Sequence, residues 1–377
     1  MLGLYIHIPF CAQKCNYCDF NSYKIEESNQ KKDYLISIER EIKLYKKEFE
    51  DKVFTSVFLG GGTPSILNSD ELKILMEKVY GNFNIKEDAE ITMECNPGTL
   101  NKEKLKTIKS LGINRLSMGL QVTQDYHLKY IGRMHTYEQF EKNYNDAIEV
   151  GINNINVDLM YSLPNQSFDE WKETLNKIIK LNPSHISAYS LILEEGTKFY
   201  DMYLNKEFEL NDEEVDINIY KYTIDTLNKN GYHQYEISNY AKEGYECKHN
   251  IVYWECEKYL GLGPGASGYI NNYRYTNICD VKEYNSCLGS NKKPIEEKNI
   301  LSEKDKMEEF IFMGLRMNKG INLDKFYEKF NVNFKHKYNK ILEKLKNLNL
   351  IIEKNNNIIL TQKGREISNT VFIEFME

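Results

Sequence analysis

Short apolar or β-branched runs alternate with segments of helical period from Leu4 to Tyr189. We predict strands at Leu4–His7, Ser56–Leu59, Glu90–Glu94, Arg115–Gly119, Ile155–Leu159 and His185–Tyr189. The helical segments between them are Asp33–Phe49, Ser69–Tyr80, Asn101–Leu111, Tyr137–Val150 and Phe168–Leu181. Strict alternation of strand and helix predicts an α/β fold with a parallel sheet and right-handed crossovers, here a partial (β/α)6 barrel. Sites on such a sheet gather at the carboxyl ends of the strands.

Three cysteines, Cys11, Cys15 and Cys18, follow the first predicted strand with Cys-x-x-x-Cys-x-x-Cys spacing. Three thiolates on one short loop can bind three irons of a [4Fe–4S] cluster and leave the fourth iron open. A structural zinc site would need four protein ligands, and no fourth Cys or His follows at the usual spacing. The spacing also disfavours the remaining alternative, which is three buried structural thiols.

The composition limits the compartment and the partners. The chain has 377 residues, enough for one large core and a smaller unit, and 49 Lys+Arg against 56 Asp+Glu give a net charge of −7. That balance argues against an obligate nucleic-acid binder. Eight Cys are too few for a disulfide scaffold, and no leader pattern precedes the first strand, so we expect a reducing, cytoplasmic location. No apolar run approaches the length of a membrane span, so any membrane contact would be peripheral.

Polar and flexible residues follow the predicted strands. The run Gly60–Pro64 lets a backbone without Cβ atoms approach a ligand and offer its amide groups, although such a run often marks only a tight turn. It lacks the Lys-Ser/Thr of a P-loop. Glu94 ends the third strand, and Gln121 follows the fourth. The guanidinium of Arg133 suits a carboxylate and the carboxylate of Asp158 suits ribose hydroxyls, although each alone is more typical of a salt-bridged surface residue.

Five longer segments resemble the coproporphyrinogen-oxidase-like branch of the radical S-adenosylmethionine (SAM) family. They are Tyr5–Cys11, Gly60–Pro64, Arg115–Gln121, Asp158–Pro164 and Gly261–Ser267. The resemblance covers nearly the whole chain and implies a radical SAM barrel, a [4Fe–4S] cluster on the three cysteines, and SAM chelated to the open iron. The residues that it implies for SAM binding are Tyr5, Tyr17, Gly61, Gly62, Thr63, Glu94, Gln121, Arg133 and Asp158.

Two departures from the oxidases bear on the choice of branch. In the oxidases the third cluster cysteine is followed by Gly-Cys, whereas here Asp19 and Phe20 follow Cys18. The oxidases also carry an N-terminal extension that helps to close the substrate site, whereas the first strand predicted here begins at Leu4. Both features resemble the branch of HemW-type heme chaperones instead.

A third feature is the segment His249-Asn-Ile-Val-Tyr-Trp254, which is similar to the His-Asn-x-x-Tyr-Trp motif of that branch. Imidazole is a common axial ligand of heme iron, and Tyr253 and Trp254 offer flat surfaces for a porphyrin, so we predict that His249 binds heme. A lone His beside two aromatic residues is by itself more typical of a structural residue. Cys247 and Cys256 flank the motif and could also ligate iron, but free buried thiols are the default for both.

The pattern changes after residue 270. We expect a barrel over 1–270, a linker with a helix at Ile278–Gly289 over 271–301, and a winged-helix-like unit over 302–377. The unit has helical signals at Glu303–Arg316, Leu323–Phe330, Phe334–Leu348 and Lys363–Phe375 and an extended pair at Ile351–Glu353 and Ile358–Thr361. Its third helix carries five lysines and no arginine, which disfavours DNA reading and favours a solvated face or a lid over the barrel mouth.

The combined expectation is a chaperone that binds heme, SAM and a [4Fe–4S] cluster and transfers heme to apo-hemoproteins, some of them at the membrane surface. No catalytic residue is assigned. The alternative is a radical SAM enzyme, either an oxygen-independent coproporphyrinogen III oxidase or another tetrapyrrole-modifying enzyme. A third, weaker option is a methyltransferase of the same branch. The sequence leaves open whether SAM is cleaved, which hemoprotein receives heme, and whether the chain forms a homodimer.

Overall fold

A computed structural model of the chain describes residues 1–376. The strands are β1 Leu2–Ile8, β2 Phe10–Cys11, β3 Tyr23–Lys24, β4 Val53–Gly61, β5 Asn84–Cys95, β6 Arg115–Gln121, β7 Asn154–Tyr161, β8 His185–Ser190, β9 His233–Gln234, β10 Asn239–Ala241, β11 Lys258–Leu262, β12 Ser267–Ile270, β13 Tyr273–Asn277, β14 Ile295–Ile300, β15 Ile321–Asn322, β16 Ile351–Lys354 and β17 Asn357–Leu360.

The helices are α1 Gln30–Lys46, α2 Ser69–Tyr80, α3 Lys102–Ser110, α4 Asp125–Tyr130, α5 Tyr137–Glu149, α6 Phe168–Leu181, α7 Lys198–Leu204, α8 Glu213–Lys229, α9 Lys248–Trp254, α10 Val281–Gly289, α11 Glu303–Arg316, α12 Leu323–Phe330, α13 Phe334–Lys337, α14 Asn339–Asn347, α15 Gln362–Glu366 and α16 Ser368–Ile373. Two short 3₁₀ helices lie at Lys47–Phe49 and Pro64–Ile66.

One twelve-stranded sheet carries the larger part of the fold, in the order β14-β13-β12-β11-β1-β4-β5-β6-β7-β8-β10-β9. The six strands predicted from the sequence are β1 and β4 to β8, and they pair in parallel with their neighbours. The α/β prediction is therefore confirmed. The sequence patterns missed α8, which has 17 residues, and the antiparallel strands at both edges of the sheet.

The helices between the strands begin where polar side chains cap them. Asn68 accepts hydrogen bonds from the first turn of α2, and Thr136 and Ser167 do the same for α5 and α6, each within a capping box. In α6 the buried side chains include Trp171, Leu175 and Ile178, which lie on one helix face. These faces cover the outer side of the sheet, so the inner side remains for a site.

The inner side of the sheet is polar along several strands. In β6 the residues that line internal cavities are Arg115, Ser117, Gly119 and Gln121, while Leu116, Met118 and Leu120 alternate with them and belong to the hydrophobic core. The register pairs Ser117 with Glu94 on one side and with Asn156 on the other. Parallel pairing therefore places rows of polar side chains at equal heights inside the sheet.

The expected linker over 271–301 is wrong, because this segment extends the sheet. Strands β13 and β14 pair in antiparallel with each other, and β13 also pairs with β12. The predicted helix is present as α10, and it packs on α1. Strand β14, whose side chains are mostly exposed, forms the edge of this sheet.

The C-terminal segment has a core of its own and a three-stranded sheet in the order β15-β17-β16. The predicted third helix is divided into α13 and α14 at Tyr338, and the predicted last helix is divided into α15 and α16 at Ile367. Of the lysines on the third helix, Lys335 and Lys346 pair with Glu353, and Lys344 pairs with Glu374. None of the helices between residues 1 and 376 is long and apolar enough to cross a membrane.

A buried carboxylate joins α1 to the end of β11, to β13 and to α10. Glu41 is fully buried and accepts hydrogen bonds from Gly263 N–H at 2.8 Å, Asn277 Nδ2 at 2.7 Å and Tyr284 O–H at 2.5 Å. Burial raises the pKa of Glu41 to about 7, although these hydrogen bonds and Lys293 act in the opposite direction. The carboxyl group therefore takes up protons at a higher pH in the folded chain than in the unfolded chain.

We expect Glu41→Gln to remove a pH dependence of folding. Above its unfolded pKa the unfolded chain loses the Glu41 proton while the folded chain keeps it, so wild-type stability falls as pH rises to about 7. The free energy of unfolding of Glu41→Gln relative to wild type should rise by about 3 kcal/mol between about pH 4 and about pH 8. Urea unfolding at both pH values measures it, and a constant difference would contradict the role of Glu41.

Candidate functional site

The loop that carries the cysteines is fixed to the barrel by backbone hydrogen bonds. Asn16 donates from its backbone N to Ile131 O at 2.9 Å and from Nδ2 to Tyr130 O at 2.7 Å. Its carbonyl accepts a hydrogen bond from Phe199 N at 2.8 Å. The loop is therefore held between the end of α4 and the start of α7, above the carboxyl ends of the strands.

The three thiols lie in different surroundings. Cys11 Sγ is 3.4 Å from Thr63 Oγ1, and Arg133 Nη1 donates to Cys15 Sγ at 3.7 Å. Burial raises the pKa of the Cys18 thiol to about 11, and the other two cysteines add to the shift. A thiol in this position needs a nearby cation or a metal to become a thiolate.

All three cysteines border one space of about 240 Å³, which we call the cysteine cavity. Within residues 1–376, no three His, Cys, Asp or Glu side chains converge on a single metal ion. A [4Fe–4S] cluster binds each thiolate to a different iron, so it needs thiols arranged around a cavity. The cysteine cavity also contains most of the residues predicted to bind SAM, namely Tyr17, Gly61, Gly62, Thr63, Glu94, Gln121, Arg133 and Asp158.

The glycine run does not offer its amides to a ligand, so that expectation is wrong. Gly61 N donates to Glu94 Oε2 at 3.0 Å, and Gly62 N donates to Ile8 O at 2.8 Å. Gly61 has φ +108°, and a Cβ at Gly62 would lie 2.6 Å from the carbonyl oxygen of Phe10. The glycines are required because the run packs directly against the cysteine-bearing strand.

Two carboxylates form the floor of the cysteine cavity. Asp158 accepts hydrogen bonds from Ser117 Oγ at 3.0 Å and from Asn156 Nδ2 at 2.8 Å. Burial and the charge of Asp158 raise the pKa of Glu94 to about 8, against the opposing effect of the Gly61 amide. Glu94 is therefore mainly protonated at neutral pH.

Strand β6, which lies between the strands of these two carboxylates, ends in a strained backbone and contacts an arginine. Gln121 has φ +78°, and the register of β6 and β7 shifts between Gly119 and Gln121. Arg133 Nη2 donates to the carbonyl of Gly119, where a Cβ would lie within 2.4 Å of that nitrogen. Strain of this kind is common where a side chain is directed toward a ligand.

Tyr5 is the one predicted SAM residue outside the cysteine cavity. Its hydroxyl lies 2.9 Å from His7 Nδ1, and it lies deeper in the barrel because it is on β1 rather than on the loop. Sequence patterns also missed further lining residues, among them Asn96, Ser117, Met160 and Tyr189. Asn96 and Met160 each lie two residues from a predicted residue, which was the available signal for them, whereas Ser117 and Tyr189 lie inside predicted strands.

The His-Asn-x-x-Tyr-Trp segment forms α9, which lies against the starts of β1, β4 and β5. Glu90 of β5 accepts hydrogen bonds from the first amides of α9, those of Lys248 at 3.2 Å and His249 at 3.1 Å. A Cβ at Gly3 of β1 would lie 3.1 Å from the His249 ring. The helix therefore closes the barrel on the side away from the cysteines.

His249 is not placed to ligate iron in this conformation. Its side chain is buried, Nδ1 lies 2.9 Å from Ser56 Oγ, and Nε2 lies 2.7 Å from Tyr253 O–H. The ring stacks on Phe58 with centroids 5.2 Å apart. Burial lowers its pKa to about 3, so the imidazole is neutral. Coordination would first require the Tyr253 hydroxyl to release Nε2.

The flanking cysteines differ in access. Cys247 is fully buried, and its Sγ donates to Glu90 at 3.6 Å, which agrees with the expected free buried thiol. Cys256 instead borders an open space of about 470 Å³, the aromatic cleft. That cleft is lined by Tyr5, His7, Phe20, Glu94, Tyr253, Trp254, Cys256, Tyr259, Tyr269, Arg274 and Met313, among others. The cleft thus combines flat apolar surfaces with two sulfur atoms.

A third space of about 250 Å³, the polar chamber, lies inside the barrel. It shares Tyr5 and Tyr253 with the aromatic cleft, and Ser117, Asp158 and Tyr189 with the cysteine cavity. Glu94 borders all three spaces. They are therefore neighbours that meet around one carboxyl group.

Comparison with known proteins defines the family. The radical SAM superfamily matches residues 5–178, and the HemN C-terminal domain matches residues 301–367. The heme chaperone HemW of Lactococcus lactis is 37% identical over 99% of this chain and 96% of its own. That of Bacillus subtilis is 36% identical over 100% of this chain and 99% of its own. The chain belongs to the HemW family of the radical SAM superfamily.

The structural comparison agrees on the fold. Coproporphyrinogen III oxidase (HemN) from Escherichia coli superposes with a TM-score of 0.87 and covers 99% of this chain and 89% of its own. At 24% identity, this likeness shows the fold alone. Membership in the radical SAM superfamily implies a [4Fe–4S] cluster and SAM, and the cysteine cavity has the thiols and polar groups that these cofactors require.

We expect Ala at Cys11, Cys15 or Cys18 to abolish the [4Fe–4S] cluster, because each thiolate would bind a separate iron. Iron analysis and the visible absorption of anaerobically reconstituted protein measure this. Cys95 is the matched control, since it borders the same cavity but its Sγ bonds to Met93 O. Loss of the cluster in Cys95→Ala would contradict a three-cysteine site.

We expect Asp158→Ala and Glu94→Ala each to weaken SAM binding by about 1.5–3 kcal/mol, because each removes a hydrogen bond between a carboxyl group and SAM in which one partner is charged. The cluster should remain in both variants. Equilibrium dialysis of reconstituted protein gives the affinity. Asp169→Ala removes an exposed carboxylate on α6 and should not change it. Unchanged affinity in both cavity variants would show that SAM binds elsewhere.

Proposed function

We propose that this chain is a heme chaperone that binds a [4Fe–4S] cluster, SAM and heme and passes heme to apo-hemoproteins. The observation that carries the proposal is full-length similarity, at 36–37% identity, to relatives named heme chaperones. In this proposal Cys11, Cys15 and Cys18 hold the cluster. The reduced thiols of that site also favour the cytoplasm as its location.

The linings of the two neighbouring spaces support SAM binding in the cysteine cavity and heme binding in the aromatic cleft. The cysteine cavity has charged and polar walls suited to SAM, whereas the aromatic cleft has Tyr, Trp and Met walls suited to a porphyrin. A cleft of about 470 Å³ lies in the range of ligand sites for large cofactors. Because the two spaces share Phe20, Gly61 and Glu94, a ligand in one would contact the wall of the other.

Heme in the aromatic cleft would meet α9 through Tyr253 and Trp254. His249 lies directly behind Tyr253, to which its Nε2 is hydrogen bonded. We propose that heme binding displaces this hydroxyl and gives the neutral imidazole to the iron. The hydrogen bond therefore opposes ligation, and its release should cost about 0.5–1.5 kcal/mol.

His249→Ala should change the absorption spectrum of bound heme and lower transfer to an apo-hemoprotein, because the axial nitrogen is gone. Tyr253→Phe keeps the ring but frees Nε2, so its spectrum should match wild type and its affinity should rise by about twofold to tenfold. Heme titration followed by absorbance measures both. Cluster absorbance in each variant checks that the barrel remains folded.

Two outcomes would change the assignment. An unchanged spectrum in His249→Ala would move the iron ligand to a sulfur that borders the cleft, and Cys256→Ala and Met313→Ala would identify which. Formation of protoporphyrinogen IX from coproporphyrinogen III, with SAM and a reductant present, would replace the chaperone proposal with the oxidase. We expect none from the wild-type protein.

A further inference from the structure

Arg115 is a buried cation without a hydrogen-bonded partner for its Nε. It begins β6, it is 2% exposed, and its Nε has no acceptor. Within residues 1–376, Arg115 forms no ion pair with a carboxylate, whereas Arg274 pairs with Glu309 and Arg316 pairs with Glu236. A buried N–H donor without an acceptor is costly. Arg115 borders the polar chamber, so an acceptor bound there would satisfy this donor.

The carboxylates closest in the fold already have other partners. Glu90 accepts from the amides of α9 and from Cys247 Sγ, and Asp158 accepts from Ser117 and Asn156. Both attract the charge of Arg115 through space. They stabilise the cation in the barrel, and Arg115 also borders the polar chamber.

The chamber has the lining of a site for a small polar group. Around its 250 Å³ lie the side chains of Ser187, Tyr189, Asn239 and Asn250 together with Arg115. Tyr5 and Tyr253 separate it from the aromatic cleft and border both spaces. A ligand in the cleft can therefore extend a short arm past these two rings to Arg115.

We propose that Arg115 binds a propionate carboxylate of the tetrapyrrole whose ring occupies the aromatic cleft. This inference rests on the proposed heme function and identifies how its ligand is anchored. A planar carboxylate matches the fork of a guanidinium, and a propionate is short enough to enter a chamber too small for the ring. Arg274, which borders the aromatic cleft itself, already bonds Glu309 at 2.8 Å and contacts Tyr259.

The experiment compares heme with its dimethyl ester, in which both propionates are neutral. Wild-type protein, reconstituted with its cluster, is titrated with each ligand and followed by absorbance. We expect heme to bind roughly 10- to 100-fold more tightly than the ester, because a charge-assisted hydrogen bond is lost. Arg115→Gln should bind heme and ester nearly equally, and Arg115→Lys should fall between the two.

Two binding results would overturn the role of Arg115. Equal binding of heme and ester by wild type would overturn the role of Arg115 while leaving heme binding intact, and this result needs no variant. Loss of discrimination in Arg274→Gln but not in Arg115→Gln would assign the carboxylate to Arg274 instead.

Two further arms separate the sources of failure. Sodium propionate alone is titrated by calorimetry, and affinity comparable to that of heme would show a site for free carboxylates rather than for a tetrapyrrole arm. Absence of heme binding by wild type would defeat the proposed function itself. Cluster absorbance and SAM affinity, measured in every variant, show whether the barrel is folded.

Discussion

The contact between the glycine run and the first strand pair determines where the cofactor cavity can form. Gly62 lies so close to Phe10 that no side chain fits between them, and its amide bonds to Ile8. Cys11 follows Phe10 directly, so this contact sets the height of the first thiol above the sheet. The adjacent Gly61 amide holds Glu94. One close backbone approach thus positions both the thiol side and the acidic side of the cavity.

The polar interior of the barrel is the second constraint. Buried polar groups must be hydrogen bonded, and here the bonds run between neighbouring strands, as from Asn156 to Ser117 and to His185. The chain of bonds continues from Ser187 through Asn239 to Glu236, which pairs with Arg316 of the C-terminal segment. Arg316 in turn lies 4.6 Å from the ring of Trp254. Polar bonding therefore joins the barrel wall to the aromatic residue that borders the cleft.

Helix α9 closes the barrel and buries its own histidine, His249. Its first turn is held by Glu90, and both imidazole nitrogens of His249 are occupied. The first amides of α9 and both ring nitrogens of His249 therefore have partners within the chain. A function that requires His249 must therefore displace one of these bonds. The Tyr253 hydroxyl is the simplest one to displace, because it lies at the border of the cleft.

Local patterns of the sequence were enough to predict the parallel strands, the helices between them and the cysteine loop, because alternation and spacing depend on neighbouring residues. Of the residues predicted to bind SAM, all except Tyr5 border the cysteine cavity. Residues such as Asn96 and Arg115 were not found, since a cavity wall depends on strand register and not on neighbours in the chain. The sequence also predicted His249 as a heme ligand and a linker over 271–301. Contacts between distant parts of the chain enclose the imidazole and pair this segment with the edge of the sheet, and no local sequence pattern reports such contacts.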